Sequence, residues 1–232
     1  MVMGITYNPK MVTDGLVLCL DAANQRSYPK SGTTCSDLIG GNDASMVNMD
    51  ASNFSPEHGG ILNFDGTNDY LETASSVGIT GSSDRSLCVW FYHNSTSADI
   101  NIAGYGVIGN GQIFDIIAKY TDGYHRVTAH CYGGAYNTIP TLPSRNTINY
   151  LGWNYACLTY TDNNASVYTN GKFSNSRAFV LNTIDSTLKI GKATYSPVNG
   201  FSGKIASVQL YNRALSADEI RQNYNATKGR YS

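Results

Sequence analysis

Apolar and polar residues alternate along most of this 232-residue chain, in runs that are mostly short. Alternation with a period of two places side chains on the two faces of a β-strand. Clusters of Gly, Asn and Asp separate the runs, as turns between strands require. The pattern predicts strands at 15–21, 61–64, 70–73, 86–92, 106–108, 113–119, 126–132, 155–161, 165–169, 177–181, 188–190 and 204–211.

Four segments refine this all-β prediction. The run 86–92 is apolar on both faces, which is typical of a central strand. Turn residues at 162–164 and the Asn170-Gly171 dipeptide predict two hairpins. Ser216 and Glu219 form a capping-box pattern that predicts one short helix ending near Tyr224. Many short strands and one terminal helix favour a sandwich or a barrel.

Composition excludes several classes of function. Charged residues make up only 14%, and 16 basic residues nearly balance 17 acidic ones, so no basic surface for nucleic acid is expected. No apolar run approaches the length of a membrane span, and the first residues do not resemble a secretory signal. The five cysteines lack metal-site spacing and are expected to be free thiols. These features predict synthesis in a cytoplasm.

Several segments match a known family in order along the chain. They are DGLV at 14–17, LNFDG at 62–66, LCVWF at 87–91, GWNY at 152–155, VYTNGK at 167–172, LKIG at 188–191 and FSGKI at 201–205. In this order they resemble the concanavalin A-like lectin/glucanase superfamily, and within it the laminin-G-like jelly rolls. The resemblance implies an all-β, two-sheet antiparallel jelly-roll sandwich with one short C-terminal helix. It implies one domain at 14–232, with residues 1–13 as an N-terminal arm.

The opening segment carries a narrower resemblance. VTDGLVLCLDAAN at 12–24, SYP at 27–29 and SGTT at 31–34 resemble a subgroup found in tailed-phage structural proteins. The sequence departs from that subgroup at Cys35, where an aromatic residue often stands, and at 39–43. The resemblance implies a capsid decoration, fibre or tail-associated subunit, made in the host cytoplasm and located on the virion surface. Its expected partners are other virion proteins and further copies of itself, with the arm docking on a neighbour.

Because the superfamily includes glucanases, hydrolysis needs its own test. A glycosidase requires two carboxylates that flank the scissile bond. The Glu-x-Asp-x-x-Glu run of laminarinase-type relatives is absent, and the three glutamates, Glu57, Glu72 and Glu219, are isolated in sequence. Only a pair brought together by folding, for instance Glu72 with Asp115, would supply the chemistry. The sequence therefore predicts a protein that is not an enzyme.

Carbohydrate binding is the alternative function. Aromatic faces match the apolar face of a pyranose, while amide, carboxylate and guanidinium groups bond its hydroxyls. The segment 99–150 is rich in such residues, and the other interpretation is that its tyrosines only pack the sandwich or cover subunit contacts. The candidate site residues, which the superfamily's lectins would place on the concave face, are Tyr105, Asp115, Tyr120, Tyr124, His125, Arg126, Tyr132 and Tyr136.

Calcium is the one cofactor for which the sequence offers candidate ligands. Asp65 and Asp69 lie in a turn and offer oxygen ligands of the kind that hard cations prefer. Such turns also form without a metal, because Asp and Asn side chains bond their own backbone. No other cofactor is expected.

Overall fold

The computed structural model describes residues 9–94, 99–121, 123–131, 147–194 and 200–231. The predicted alternation forms an antiparallel two-sheet sandwich with one short helix near its C-terminal end, which confirms the predicted fold class. The elements are β1 (Leu16–Asp21), β2 (Thr34–Cys35), β3 (Ala44–Val47), β4 (Phe54–Ser55), β5 (Ile61–Asp65), β6 (Tyr70–Ser76), β7 (Arg85–His93), β8 (Asp99–Gly106), β9 (Ile113–Thr121), β10 (Tyr124–His130), β11 (Gly152–Thr161), β12 (Asn164–Thr169), β13 (Lys172–Ala178), β14 (Thr187–Ile190), β15 (Ser202–Tyr211) and α1 (Ala217–Thr227).

The strands of the described ranges form two sheets. Sheet 1 has the order β13-β12-β11-β7-β15-β5-β4, and β1 pairs with β15 beyond the end of β5. Sheet 2 has the order β10-β9-β8-β14-β6-β3-β2. Consecutive strands such as β8, β9 and β10 pair as hairpins, whereas β7 and β15 are distant in sequence. The sandwich therefore depends on long-range pairing.

Strand β7 is central in sheet 1, as its apolar sequence predicts. It pairs with β11 on one side and with β15 on the other. Leu87, Val89 and Phe91 point into the core between the sheets. Cys88 and Trp90 point to the opposite face of sheet 1, where they join a second apolar cluster. Both faces of this strand are thus covered.

Helix α1 covers that second face of sheet 1, and its N-terminus is the predicted capping box. Ser216 Oγ accepts from the Glu219 amide at 3.3 Å, and Glu219 Oε2 accepts from the Ser216 amide at 2.8 Å. Arg213 donates to Glu219 Oε1 at 2.6 Å. The helix continues to Thr227 rather than ending near Tyr224. No helix within the described ranges has the length and apolar content of a membrane span.

Two hairpins of sheet 1 follow the predicted turn chemistry. Asp162 and Asn163 connect β11 to β12 with φ of 49° and 54°, and Asn170 and Gly171 connect β12 to β13 with φ of 51° and 74°. Both are the left-handed pairs that two-residue hairpins need. A Cβ on Gly171 would lie 2.9 Å from the Tyr224 ring, so the turn also needs glycine for its contact with α1.

The strands predicted at 106–108 and 177–181 are wrong. Gly106 ends β8, because its φ of 113° leaves the extended region and a Cβ there would lie 2.1 Å from the Gln112 carbonyl oxygen. The real strand, β8, precedes this position, and β13 ends at Ala178. The sequence pattern also missed β2, β3 and β4, which have two to four residues each and are too short to show a period.

All five cysteines are free and buried, as predicted. Part of the predicted arm packs against the domain. The amide of Val12 donates to Asn223 Oδ1 at 2.7 Å, its carbonyl accepts from the Tyr211 hydroxyl at 3.0 Å, and the Lys10 carbonyl accepts from Gln222 at 2.7 Å. Residues 1–8 lie outside the described ranges, so docking of the arm on a neighbour stays a prediction.

A buried arginine joins the two sheets at the start of β7. The Arg85 side chain is fully buried and donates to the Ser83, Thr80 and Gly81 carbonyls at 2.7–3.0 Å. It also donates to the Tyr105 hydroxyl on β8 at 3.0 Å. The guanidinium carbon lies 5.5–6.0 Å from three ring centroids, those of Tyr105, Phe114 and Tyr160. Carbonyl groups thus replace the water that this charge loses on burial.

Replacing Arg85 by Met should therefore destabilise the fold strongly. The substitution leaves several buried carbonyls and the Tyr105 hydroxyl without their donor, and we expect a loss of about 3 kcal/mol or more in the free energy of unfolding. Urea denaturation monitored by circular dichroism measures it. Arg26→Met, at an exposed arginine, is the matched control and should change the value by less than about 0.5 kcal/mol. Equal effects of the two substitutions would contradict the assigned role of Arg85.

Candidate functional site

Strands β8, β9 and β10 distribute the predicted glycan residues over different environments. Tyr105 points into the core, where it is fully buried and bonded to Arg85. It therefore contributes to the core rather than to a surface site. Tyr132 and Tyr136 lie outside the described residues. The remaining five, on β9 and β10, divide between the outer face of sheet 2 and the end of the β9–β10 hairpin.

Asp115 lies on the outer face of sheet 2 and is fully buried. Its Oδ2 accepts from Asn101 Nδ2 at 2.7 Å and from Thr194 Oγ1 at 2.8 Å, while Oδ1 has no hydrogen-bond partner among the described residues. The carboxyl group lies across Gly104 on β8, where a Cβ would come within 1.8 Å of Oδ1. Burial raises the pKa of Asp115 well above its usual range, because the opposing hydrogen bonds are weaker than the loss of solvation.

The strand register shows how far apart the carboxylates are. One row across the outer face of sheet 2 contains Glu72 on β6, Lys189 on β14, Gly104 on β8 and Asp115 on β9. Three interstrand spacings separate Glu72 from Asp115, so their backbones are roughly 14 Å apart. The Asp115 carboxyl group lies over Gly104, one interstrand spacing nearer to Glu72 than its own backbone. It is fully buried, so this row does not offer a surface ligand two exposed carboxylates of the kind that glycosidases use.

Arg126 and Tyr124 share the outer face of sheet 2 with Asp115, because they follow the same alternation along β10. The Arg126 side chain is buried, and its guanidinium carbon lies 5.1 Å from the Tyr124 ring centroid. Tyr124 itself is 48% exposed. The arginine thus supports one face of a ring whose remainder is open to solvent.

His125 and Tyr120 point to the other side of the hairpin, where two more rings meet them. Tyr120 is the register partner of His125, and their ring centroids are 4.6 Å apart. Tyr150 stacks on His125 at 4.4 Å with only 3° between the planes. Both tyrosines are exposed, at 40% and 41%. Tyr124 lies at the same hairpin end but on its opposite face, and we call Tyr120, Tyr124, His125 and Tyr150 the tyrosine cluster.

A second histidine fixes the cluster to sheet 1. His93, at the end of β7, is buried, and its Nε2 lies 2.9 Å from His125 Nδ1. Burial, with a smaller effect of His125, lowers the pKa of His93 to about 4, and burial also lowers the pKa of His125. Both rings are therefore neutral near pH 7, and one donates a hydrogen bond to the other. A neutral pair suits stacking against tyrosine.

Sequence reasoning missed His93 and did not single out Tyr150. Both act through contacts with His125, which lies 32 residues after His93 and 25 before Tyr150. One feature of the sequence could have indicated His93: the apolar strand 86–92 ends next to it, which places His93 at the edge of the core. Pairing of the two sheets at this end was not visible in the sequence.

The two predicted calcium ligands lie in the β5–β6 turn and already have hydrogen-bond donors. Asp65 Oδ1 accepts from the Thr67 amide at 2.7 Å, while Asp69 Oδ2 accepts from the Asp65 amide and from Asn53 Nδ2, both at 3.1 Å. Calcium takes about six to eight oxygen ligands. The described ranges hold no cluster of three or more His, Cys, Asp or Glu side chains. These contacts favour the turn interpretation, and calcium binding at Asp65 and Asp69 stays a prediction.

A two-sheet antiparallel sandwich, with a polar row on one sheet and exposed aromatic rings at a hairpin end, defines a lectin-like β-sandwich protein. A family model of the laminin G type, described as concanavalin A-like lectin/glucanases superfamily, matches residues 65–221. This match covers more than half of the chain, and the chain belongs to that superfamily. A comparison with curated proteins found no match.

Solved structures share the fold at low identity. The sialidase of Trypanosoma rangeli in complex with the inhibitor DANA is 17% identical with a TM-score of 0.66, and the match covers 98% of this chain and 36% of the sialidase. A heptameric SAP-like pentraxin from Limulus polyphemus is 15% identical with a TM-score of 0.52, over 68% of this chain and 78% of the pentraxin. The chain thus spans about a third of the length of the sialidases it matches, and these likenesses show the fold alone.

The raised pKa of Asp115 predicts how its substitution by Asn changes stability with pH. As pH rises above about 4, the unfolded state releases the proton that the folded state keeps, so this carboxyl destabilises the fold by up to about 1.4 kcal/mol per pH unit until the folded pKa is reached. Asp115→Asn removes this effect. The free energy of unfolding of the variant, relative to the parent protein, should therefore increase between about pH 5 and pH 7.

Urea denaturation at several pH values measures that difference. Asp50→Asn is the matched control, because hydrogen bonds from Ser52 lower the pKa of Asp50 and its carboxylate is ionised in both states across this range. Its difference from the parent protein should stay constant. A constant difference for Asp115→Asn as well would mean that Asp115 is ionised in the fold.

Proposed function

We propose that this chain is a non-enzymatic carbohydrate-binding module that contacts glycans through the tyrosine cluster. The observation that carries this proposal is the set of three exposed tyrosines held at one end of the sandwich. Tyr120 and Tyr150 pack against the neutral His125, and Tyr124 packs against Arg126. Rings fixed in this way offer apolar faces to a pyranose at little cost in side-chain entropy.

Polar groups beside these rings supply the hydrogen bonds that a sugar needs. Tyrosine hydroxyls donate and accept, and His125 adds a ring nitrogen. Membership of a superfamily whose name includes lectins supports the same function. The similar sialidase structures are also those of a carbohydrate-acting protein, with 17% identity to this chain.

The surroundings of the two carboxylates on sheet 2 support binding without hydrolysis. Glu72 Oε1 accepts from Thr187 Oγ1 at 2.6 Å. Asp115 is fully buried and accepts from Asn101 and Thr194, so its carboxyl group does not reach a ligand at the surface. Binding of this kind needs no cofactor.

A glycan array tests the proposal. We expect specific binding of the parent protein, and a rise in Kd of about tenfold or more, equivalent to about 1.4 kcal/mol, for Tyr124→Ala and for Tyr150→Ala. Phe173→Ala, at a 58% exposed ring on β13, is the matched control and should bind like the parent. A blank array, or unchanged binding by both tyrosine variants, would overturn the proposal. Release of reducing sugar from a bound glycan would overturn its non-enzymatic part.

A role as a virion surface subunit is the second candidate function. The resemblance of the opening segment to phage structural proteins motivates it, and one structural feature favours assembly. Val107, Ile108, Val180 and Ile184 are 38–67% exposed on two neighbouring loops, which are joined by a hydrogen bond from the Asn182 amide to the Gly111 carbonyl at 2.8 Å. Exposed apolar patches of this kind often mark protein contacts. In this role the protein is made in the host cytoplasm, contacts copies of itself or other virion proteins, and docks on a neighbour through the part of its arm that precedes Lys10.

Sedimentation and light scattering test the assembly role. We expect the parent protein to form oligomers that Val180→Asp dissociates, because burial of a carboxylate in an apolar contact is costly. Asn182→Asp, in the same loop but polar in the parent protein, is the control and should leave the oligomer intact. A monomeric parent protein, or an oligomer that Val180→Asp does not change, would contradict this role for the patch.

A further inference from the structure

The outer face of sheet 1 carries a cavity far from sheet 2. Helix α1 and the turn that follows it, Lys228–Arg230, pack over β7 and β11 and leave a cavity of about 330 Å³. This volume lies at the lower end of the range for small-molecule sites. Four aromatic side chains and three amides contribute to its wall: Trp90, Trp153, Tyr224, Tyr231, Asn149, Asn170 and Asn225.

The aromatic wall is held in place by contacts that need no ligand. Trp90 Nε1 donates to Thr227 Oγ1 at 2.7 Å, and its ring centroid lies 4.2 Å from that of Tyr231. Tyr231 in turn lies 4.7 Å from Trp153. The turn that carries Tyr231 is fixed by Arg230, which forms two bonds to Asp21 at 2.9 and 3.0 Å. The cavity is thus preformed.

Two of the three cavity amides differ from the third and from other asparagines nearby. Asn170 accepts from the Tyr155 amide, and Asn154 and Asn223 also use their side chains in hydrogen bonds to the protein. The side chains of Asn149 and Asn225 make no hydrogen bond within the described ranges. Each therefore keeps two donors and an acceptor for a ligand. Free amides beside preformed aromatic faces are the two components of sugar recognition.

Charge narrows the class of ligand further. No Asp or Glu lines the cavity, and Lys228 is its charged residue. Lys228 makes no ion pair within the described ranges, and its ammonium lies 5.6 Å from the Tyr224 ring centroid. A cationic ligand would meet an uncompensated positive charge, although aromatic rings alone would accept it. An anionic group on the ligand would gain a partner.

The rings also disfavour a planar base. The ring centroid of Trp90 lies 4.2 Å from that of Tyr231 and 5.6 Å from that of Tyr224. These rings already contact each other, so a planar base cannot insert between two ring faces. A ligand in the cavity meets single ring faces and edges. We propose that this cavity is a second binding site, separate from the tyrosine cluster, for one saccharide ring that carries a carboxylate.

The chain offers a direct spectroscopic test, because its two tryptophans, Trp90 and Trp153, both line this cavity. Tryptophan fluorescence therefore reports on this site and not on the tyrosine cluster. Glucuronate should change the emission saturably, and glucose, its neutral counterpart, should bind at least about tenfold more weakly. Lys228→Gln should remove the preference for glucuronate, since it removes the positive charge.

A variant on α1 tests the amide contact without disturbing the core. Asn225→Ala should raise the Kd for glucuronate about tenfold or more, whereas Arg221→Ala, at an exposed position of the same helix, should not. Tyr150→Ala should leave the fluorescence titration unchanged, so that failure of either site is seen separately. The absence of a saturable change with glucuronate, equal affinity for glucose, tighter binding of adenosine monophosphate, or parent-like binding by Asn225→Ala would overturn the proposal.

Discussion

The structure depends on the buried positive charge of Arg85, which has no carboxylate partner among the described residues. Arg85 is fully buried at the start of β7, and carbonyl groups of the preceding loop and the Tyr105 hydroxyl accept its hydrogen bonds. Because an unsatisfied buried guanidinium is very costly, the loop must keep its carbonyls turned inward. The same side chain contacts aromatic rings from both sheets. This arrangement fixes the position of β7 in the sandwich, and β7 carries residues of both candidate sites, Trp90 at the cavity and His93 beside the tyrosine cluster.

The outer face of sheet 2 carries a polar row in which two carboxylates have different surroundings. The register places Lys189 and Gly104 between Glu72 and Asp115, so the two carboxylates share a row and do not meet. Asp115 occupies the space above Gly104, where a side chain on β8 would otherwise lie. Only 14% of the residues in the sequence are charged, and few charged side chains lie on these surfaces. Amides, hydroxyls and rings supply most of the polar contacts on both candidate surfaces.

The sequence predicts the parts of this fold that depend on local rules. The alternation along β7, the left-handed turn at Asn170-Gly171 and the capping box at Ser216 each require only neighbouring residues. Strand β8 was missed because Gly104 and Gly106 interrupt its alternation. The exposure of tyrosines on β8 and β9 could not be predicted either. Tyr105 and Tyr120 are both strand tyrosines on the inner side of sheet 2, yet one is buried beneath Arg85 and the other lies at the open end beside His125. Only the pairing of distant strands decides between these two environments.

The two candidate sites share one short segment of chain. Tyr150 belongs to the tyrosine cluster and Trp153 to the cavity, and Leu151 between them has a φ of 56°. A leucine in this region is strained by about 1 kcal/mol or more, and such strain persists only where surrounding contacts enforce it. Here the Leu151 amide donates to the His93 carbonyl at 2.9 Å, and Gly152 and Trp153 then pair with His93 and Tyr92. The strained residue thus turns the chain so that one aromatic side chain faces the hairpin end and the next faces the cavity. The strain at Leu151 is therefore tied to the orientation of residues in both candidate sites, and the contacts of His93 and Tyr92 enforce it.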